Sequence, residues 1–403
     1  MSGMAAAGRA AREAALRPGL RLQKIDRFVL PAGDSRRAAF IVDRLYVAHS
    51  LRERLAWSWH RANGGRALAH AAESGELTAA SLSAIATAEA WPALPQAARS
   101  WIVDTDYHGS ARDRSIVFVF GDDRSEPSLV VKRARAASGR ALRSLARERD
   151  ALEALRRALP ADLADTVPCV AGYEAADGWE SLALTWLPGR SAYVEMQTRL
   201  LPSASVEGHF LSAASWLARF HEATSVPGRS VEPASDANDA ASGEGATPDW
   251  LARLRDACAR APVRAVRSHG DFWARNVLLA RRRGLARIMG VVDWEQSCDA
   301  SSPFDDLFQF ALTYGLSYPW SRYRRAEPIE AFRRTFLADT RVARAVRAYL
   351  QAYCRERGLD AALLASWFRC FLRERASRDD SKGDLWTRFD QAIGAAGRSV
   401  FSG

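Results

Sequence analysis

His269-Gly270-Asp271-Phe272-Trp273-Ala274-Arg275-Asn276, followed by Val291-Val292-Asp293-Trp294-Glu295, gathers carboxylates and a carboxamide into two short segments. An Asp with an Asn five positions on lets one turn present a base toward a hydroxyl and a neutral oxygen toward a metal. Asp293, closing the apolar run Ile288 to Val292, adds a carboxylate ligand. Hard oxygen donors in this number suit magnesium, which keeps some of its waters and takes one or two carboxylates from a protein. Phosphoryl transfer asks for this set: a metal site, and a carboxylate that orients or accepts the proton of the attacking hydroxyl. Singly, each residue has a plainer meaning, since an Asp after Gly is a common turn residue and an Asp ending a strand a common helix cap.

The elements that must hold these segments follow from periodicity. Short strands around Val277–Ala280 and Ile288–Val292 flank an arginine-rich turn. From Trp101 the chain alternates in the manner of a small antiparallel meander, Trp101–Asp106, Ser115–Phe120 and Ser128–Lys132. A helix over Ser138–Ala158 and two further strands, Val167–Tyr173 and Ser181–Trp186, complete that region. After Leu187-Pro188-Gly189 the pattern is mainly helical, with Val206–Ala223 amphipathic and Pro328–Arg378 anchored by aromatic residues. Residues 225–247, rich in Ser, Gly, Ala, Pro, Asp and Glu, are expected to form a flexible insertion. Residues 1–22 read as a disordered tail and 23–100 as a helical extension, through Phe40, Ile41, Leu45, Leu51 and Leu55 and a second helix over Leu77–Ala90.

Of 57 Lys plus Arg only Lys24, Lys132 and Lys382 are lysine. In a chain that otherwise writes positive charge as arginine, the lysine closing the strand Leu129-Val130-Val131 invites a chemical role, against the plainer one of a strand-end charge.

His269 to Asn276 and Val292 to Glu295 resemble the two signature motifs of the aminoglycoside phosphotransferase and choline kinase family, and Pro303-Phe304-Asp305-Asp306-Leu307 resembles the P-x-x-D-L segment that follows them. The likeness runs over about residues 101–375 and leaves out the first hundred. It implies an α+β, bilobal protein-kinase-like fold: a small antiparallel-sheet N-lobe over 101–186 and a larger, mainly helical C-lobe over 187–403. It implies ATP and Mg2+ as cofactors, Asp271 as catalytic base, and Asn276 and Asp293 as metal ligands. It gives Lys132 and, sixteen residues on, Glu148 as the pair that meets the phosphates, with Glu153 as the rival partner. Gly109 and Ser110 would cover the phosphates, where a protein kinase has several glycines and a plain hairpin turn serves equally well. Leu184 to Gly189, with Trp186, would be the interlobe hinge that binds the base, although Thr185 stands where the family often has an acidic residue. His269, Glu295 and Asp306 are supporting residues on this pattern, with His221 a packed or hydrogen-bonded histidine.

Composition limits the alternatives. There is no P-loop pattern, no apolar run long enough to span a membrane and no apolar core of a secretory signal near Met1. Five cysteines, odd in number and without C-x-x-C spacing, argue for reduced thiols and a cytoplasmic location. The net charge of +10 is spread among acidic residues rather than gathered into a nucleic-acid footprint. From Gln296 onward, 17 Arg and Lys stand against 13 Asp and Glu, a balance that disfavours a polycationic aminoglycoside as acceptor. A sugar, glycolipid precursor or amino-alcohol-like hydroxyl compound fits better, unless these arginines only solvate helices. The competing class is a nucleotide-binding pseudokinase whose residues 1–100 bind a protein partner.

Overall fold

The computed structural model describes residues 22–25, 28–31, 34–45, 100–104, 114–121, 125–176, 178–198, 203–233, 248–282, 285–318, 327–378, 382–396 and 399–401. The chain divides into two compact units, one of residues 1–156 with 167–188 and one of 157–166 with 189–403.

The first unit is built on a seven-stranded antiparallel sheet. Its strands are β1 (Leu22–Ile25), β2 (Phe28–Pro31), β3 (Ser100–Asp104), β4 (Arg114–Phe120), β5 (Leu129–Arg135), β6 (Val170–Ala176) and β7 (Trp179–Thr185), in the order β1-β2-β3-β4-β5-β7-β6. Helix α1 (Ser35–Phe40) runs into a π-helical turn over Ile41–Leu45, and α2 (Gly139–Ala158) follows β5. In α2 the buried residues Ala141, Leu145, Glu148, Ala151, Leu152 and Leu155 recur at helical spacing, so one carboxylate stands within an otherwise apolar stripe.

Here the structure corrects the expectation of a wholly helical extension over 23–100. β1 and β2 form a hairpin whose second strand pairs with β3, Phe28 opposite Asp104 and Val29 opposite Val103. Four-residue strands carry too little period to be read alone; their partner supplies the hydrogen bonds, and Phe28 and Leu30 bury one face. Phe40 and Ile41 do lie in helical structure. Of the expected tail over 1–22 only Leu22 is described, opening β1, and the helix over Leu77–Ala90 lies outside the described residues.

The second unit is mainly helical. A short α3 (Ala161–Ala164) precedes β8 (Arg190–Ser191), α4 (Ala192–Thr198) and α5 (Ser203–Ala223), and then β9 (Ser225–Ser230) and α6 (Asp249–Arg260). β10 (Arg264–Ser268), β11 (Val277–Arg282), β12 (Leu285–Val291) and β13 (Cys298–Ser301) lead to α7 (Pro303–Ser317), α8 (Pro328–Phe336), α9 (Arg341–Arg357), α10 (Leu364–Arg378) and α11 (Gly383–Ala395). Two three-stranded sheets, β13-β10-β9 and β12-β11-β8, sit among the helices. α7 is the buried centre, through Phe304, Leu307, Phe308, Phe310, Ala311, Leu312 and Tyr314. Phe210 of α5, Phe310 of α7 and Tyr349 of α9 meet at ring distances of 5.5, 5.4 and 5.8 Å, in the tilted geometries that aromatic quadrupoles favour.

The expected flexible insertion begins instead as β9, whose Ser230 pairs with Arg264 and Ser225 with Val266 of β10. That strand has little to bury, so backbone pairing rather than side-chain period accounts for it. Residues 234–247, the rest of that expectation, lie outside the described residues.

Candidate functional site

The hairpin β11–β12 explains why the two motif segments meet. Its register sets Val277 opposite Val291, so Asn276, just before β11, faces Val292, just after β12. The Val292 amide donates to the Asn276 carbonyl at 2.9 Å, which brings Asn276 and Asp293 to the same end of the hairpin. Asn276 also closes the loop behind it. Its side-chain amide donates to the Asp271 carbonyl at 3.0 Å and to Asp271 Oδ2 at 3.2 Å, leaving Oδ1 as the acceptor that turns elsewhere.

Gly270 is dictated by the bend that places Asp271. Its φ is +80°, and a Cβ there would lie 2.2 Å from the Gln296 carbonyl oxygen, so both backbone sign and contact exclude a side chain. Gly189 is similar, with φ +114° and a would-be Cβ 2.9 Å from the Leu279 oxygen of β11. Asp293 is left-handed without being glycine, at φ 72° and ψ 60°, ahead of a 3-10 turn over Trp294–Gln296. Strain of this kind persists where surrounding structure imposes it, and such positions cluster at functional sites.

Apolar neighbours supply the imposition. Phe272 and Trp294, next to Asp271 and Asp293, are fully buried. Phe272 stacks on Trp216 at 5.5 Å, and Trp294 meets His269 at 4.4 Å and Phe220 at 5.4 Å. The Trp294 indole donates to the Val291 carbonyl at 2.8 Å and the Trp216 indole to Thr166 Oγ1 at 2.9 Å.

Asp306, in the first turn of α7, holds the loop from below: its oxygens accept from the His269 amide at 2.6 Å and the Gly270 amide at 3.0 Å. His269 Nδ1 accepts from the Asp271 amide at 3.2 Å and Nε2–H donates to the Val292 carbonyl at 3.0 Å. That pair of partners defines a neutral imidazole bracing both segments. Behind Asp306 stands His221, with Nε2 at 3.6 Å from the carboxylate and Nδ1 at 2.7 Å from the Tyr353 hydroxyl. Burial holds the His221 imidazole below its usual range. Burial pushes Asp306 the other way, but its contacts with His221 and the His269 amide outweigh that and keep the carboxyl below its usual range.

The electrostatics of the loop are unbalanced. Asp271 is pushed up from 3.8 to about 6, first by burial and then by the charge of Asp293, with Arg375 and the Asn276 amide pulling back. Asp305 rises to about 7, through burial and then the charges of Glu374 and Asp306, against Arg375 and Arg378. Sequence alone did not single out Asp305 or Arg375; a residue adjacent to Asp306 and an arginine on a distant helix carry no motif of their own. The link of Tyr353 to His221 needs the packing of α5 against α9.

Among the described residues no cluster of three His, Cys, Asp or Glu side chains has the makings of a metal site. The set here is leaner: the Asp293 carboxylate and the Asn276 carboxamide oxygen, with Asp271 beside them, whose repulsion with Asp293 a cation would relieve. It fits magnesium, which needs few protein ligands, better than zinc or a transition metal.

In the first unit, Lys132 Nζ lies 2.7 Å from both carboxylate oxygens of Glu148, which is wholly buried. Glu153, the rival, is exposed. Trp186 is partly buried against the sheet. Gly109 and Ser110 lie outside the described residues. Glu295 sits in the turn after Asp293.

A family model described as the phosphotransferase enzyme family matches residues 106–354, more than half of the chain. No curated protein matches. Solved structures similar to the chain include an aminoglycoside phosphotransferase from Streptomyces rimosus ATCC10970, with 17% identity over 71% of this chain and 90% of that one at a TM-score of 0.35. They also include a GDP complex of an aminoglycoside 2'-phosphotransferase, with 16% identity over 73% and 91% at 0.37. A kinase domain from Mycobacterium tuberculosis has 16% identity over 70% and 89% at 0.32. Among the described residues no helix is long and apolar enough to cross a membrane.

Proposed function

The chain belongs to the phosphotransferase enzyme family, with its α+β kinase-like fold, and from that premise we propose that it moves the γ-phosphate of ATP to a hydroxyl of a small molecule. The observation that carries this reading is the state of Asp271: a half-buried carboxyl, raised to about 6 beside Asp293 and oriented by the Asn276 amide. A base of that strength is deprotonated at neutral pH yet basic enough to share the proton of an attacking alcohol.

The roles follow. Asp271 orients the acceptor hydroxyl and takes its proton at a carboxylate oxygen. Asp293 and the Asn276 Oδ1 would hold magnesium, which would supply positive charge against the phosphates. Lys132, fixed by Glu148, meets the phosphates, and the segment around Trp186 meets the base. His269 and Asp306 keep the loop backbone in place, and Glu295 supports the metal turn. The acceptor is a sugar, glycolipid precursor or amino-alcohol-like compound rather than an aminoglycoside, in keeping with the surplus of arginine from Gln296 onward. The reaction belongs to the cytoplasm and involves no nucleic acid.

The test is a screen of sugars, amino alcohols and aminoglycosides with ATP and magnesium, scored by ADP release, repeated with Asp271→Ala and Asp293→Ala. Each variant is expected to lose about 100-fold or more in kcat. Rates equal to the parent in both variants would sink the assignment. Nucleotide binding without turnover across the screen would instead favour a pseudokinase acting through a protein partner.

A further inference from the structure

The sheet of the first unit has one face on which Lys132 stands, and register identifies its companions. Ile116 is opposite Lys132 and Phe118 opposite Val130 across β4–β5. Ile102 is opposite Phe118 across β3–β4, and Leu182 and Leu184 are opposite Lys132 and Val130 across β5–β7. Residues directly opposite in an antiparallel pair share a face. The face therefore runs from a cationic centre at Lys132 to an apolar patch of Phe118, Phe120 and Val130 that begins one pleat repeat, about 7 Å, along the strands.

That patch is already covered by the chain itself. Phe28, Leu30, Ala38, Phe40 and Ile41 bury against Ile102, Ile116, Phe118 and Phe120, with Leu45, Val130 and Trp186 at the margin. The Phe40 ring lies 5.2 Å from Phe120, 6.2 Å from Phe118 and 5.6 Å from Trp186. Polar contacts secure the segment: the Arg37 guanidinium lies 3.9 Å over the Phe120 ring and donates to the Gly121 carbonyl, and Arg44 pairs with Glu126. Both Gly121 and Glu126 flank the β4–β5 turn.

We infer that residues 34–45 are an internal plug: Phe40 fills with its own ring the place on the Lys132 face where a nucleotide base would stack, so nucleotide binding requires the segment to leave. This rests on the proposed nucleotide reading of Lys132 and Trp186. A nucleotide whose phosphates meet Lys132 directs its base along the same face toward Trp186, and one aromatic ring excludes another there. The plug is held by one buried aromatic, a few aliphatic contacts and arginine pairs, a set that can dissociate and rebind without unfolding the sheet. Apparent nucleotide affinity is then reduced by the fraction of molecules in which the plug is seated.

The experiment is a titration of the full chain with MgADP, alongside Phe40→Ala and the milder Phe40→Leu, with hydrogen exchange on the unaltered chain as a second readout. Losing the buried ring should tighten MgADP binding by about tenfold or more in Phe40→Ala and less in Phe40→Leu. Saturating MgADP should speed exchange in residues 34–45 and slow it in Leu129–Arg135. Equal affinity in the parent and in folded variants overturns the plug while leaving the nucleotide reading intact. So does protection of Leu129–Arg135 with exchange at 34–45 unchanged, a result that decides the matter even if the variants fail to fold. Binding to the variants and not to the parent supports the plug. Binding to neither removes the nucleotide reading, and the plug with it.

Discussion

Lys132–Glu148 and Asp271–Asp293 are the two charged pairs on which the proposed chemistry depends, and their electrostatic conditions are opposite. Glu148, wholly buried, meets a lysine ammonium at 2.7 Å through both oxygens. Asp271 is raised to about 6 by burial first and then by a second carboxylate's field. The first pair is complete within the chain. The second sets two carboxylates in one field with Arg375 pulling back, and on the proposed reading magnesium with its nucleotide adds positive charge there. On that reading folding sets Lys132 against its counter-charge and leaves Asp271 under burial and like charge, so that an ion would relieve part of a cost the fold has already incurred.

The contrast can be broken most severely at Lys132. Lys132→Met strands Glu148 in an apolar stripe without its counter-charge, and chemical denaturation should show a loss of about 3–5 kcal/mol. A loss under about 1 kcal/mol would mean that water reaches Glu148 and that the pair is not internally complete.

A charge removed from the other pair should act with the opposite sign. Because Asp271 titrates near 6 in the folded chain and near 3.8 unfolded, the folded state binds its proton more tightly. The resulting penalty is fully present above about pH 6 and vanishes below about pH 4. Asp271→Asn is therefore expected to gain about 1–3 kcal/mol of stability at pH 7–8 while losing activity, with no gain at pH 4. A destabilised variant at pH 8 would contradict the repulsion.

The smallest effect is the most specific. Asp293→Asn should lower the Asp271 midpoint, followed by NMR of the carboxyl carbon, and magnesium added to the parent should move it the same way. Burial is the larger cause of the rise, so the midpoint in the variant should remain above 3.8. No movement in either case would mean that the two carboxylates do not share a field.

How legible all this is in the sequence depends on how local each feature is. The loop from His269 to Asn276 and the turn at Asp293 are read directly, because the residues of each lie within a few positions of one another and two short apolar runs flank the arginine-rich turn between them. β4, β5 and α2 are legible for the same reason, and the lone strand lysine with a glutamate sixteen residues on leads to the 2.7 Å pair. Contacts made across long separations are not legible. β1, β2 and β9 exist because a neighbouring strand accepts their hydrogen bonds, and no local period announces that. The His221–Tyr353 link spans 132 positions, and the elevation of Asp305 depends on side chains of α10. The seating of Phe40 on the Lys132 face is visible only once the strand register is known.

Asp293 carries one more consequence. Its backbone sits at φ 72°, where glycine is at ease and other residues pay about 1 kcal/mol or more. Glycine there would suit the turn and abolish the carboxylate. Selection for robustness alone would drift toward Asp293→Gly, giving a chain that withstands heat slightly better and, on the proposed reading, lacks its metal carboxylate. If the proposed role holds, this aspartate is a point where heat tolerance and catalysis pull against each other, and where a screen that rewards only folding would discard the function first.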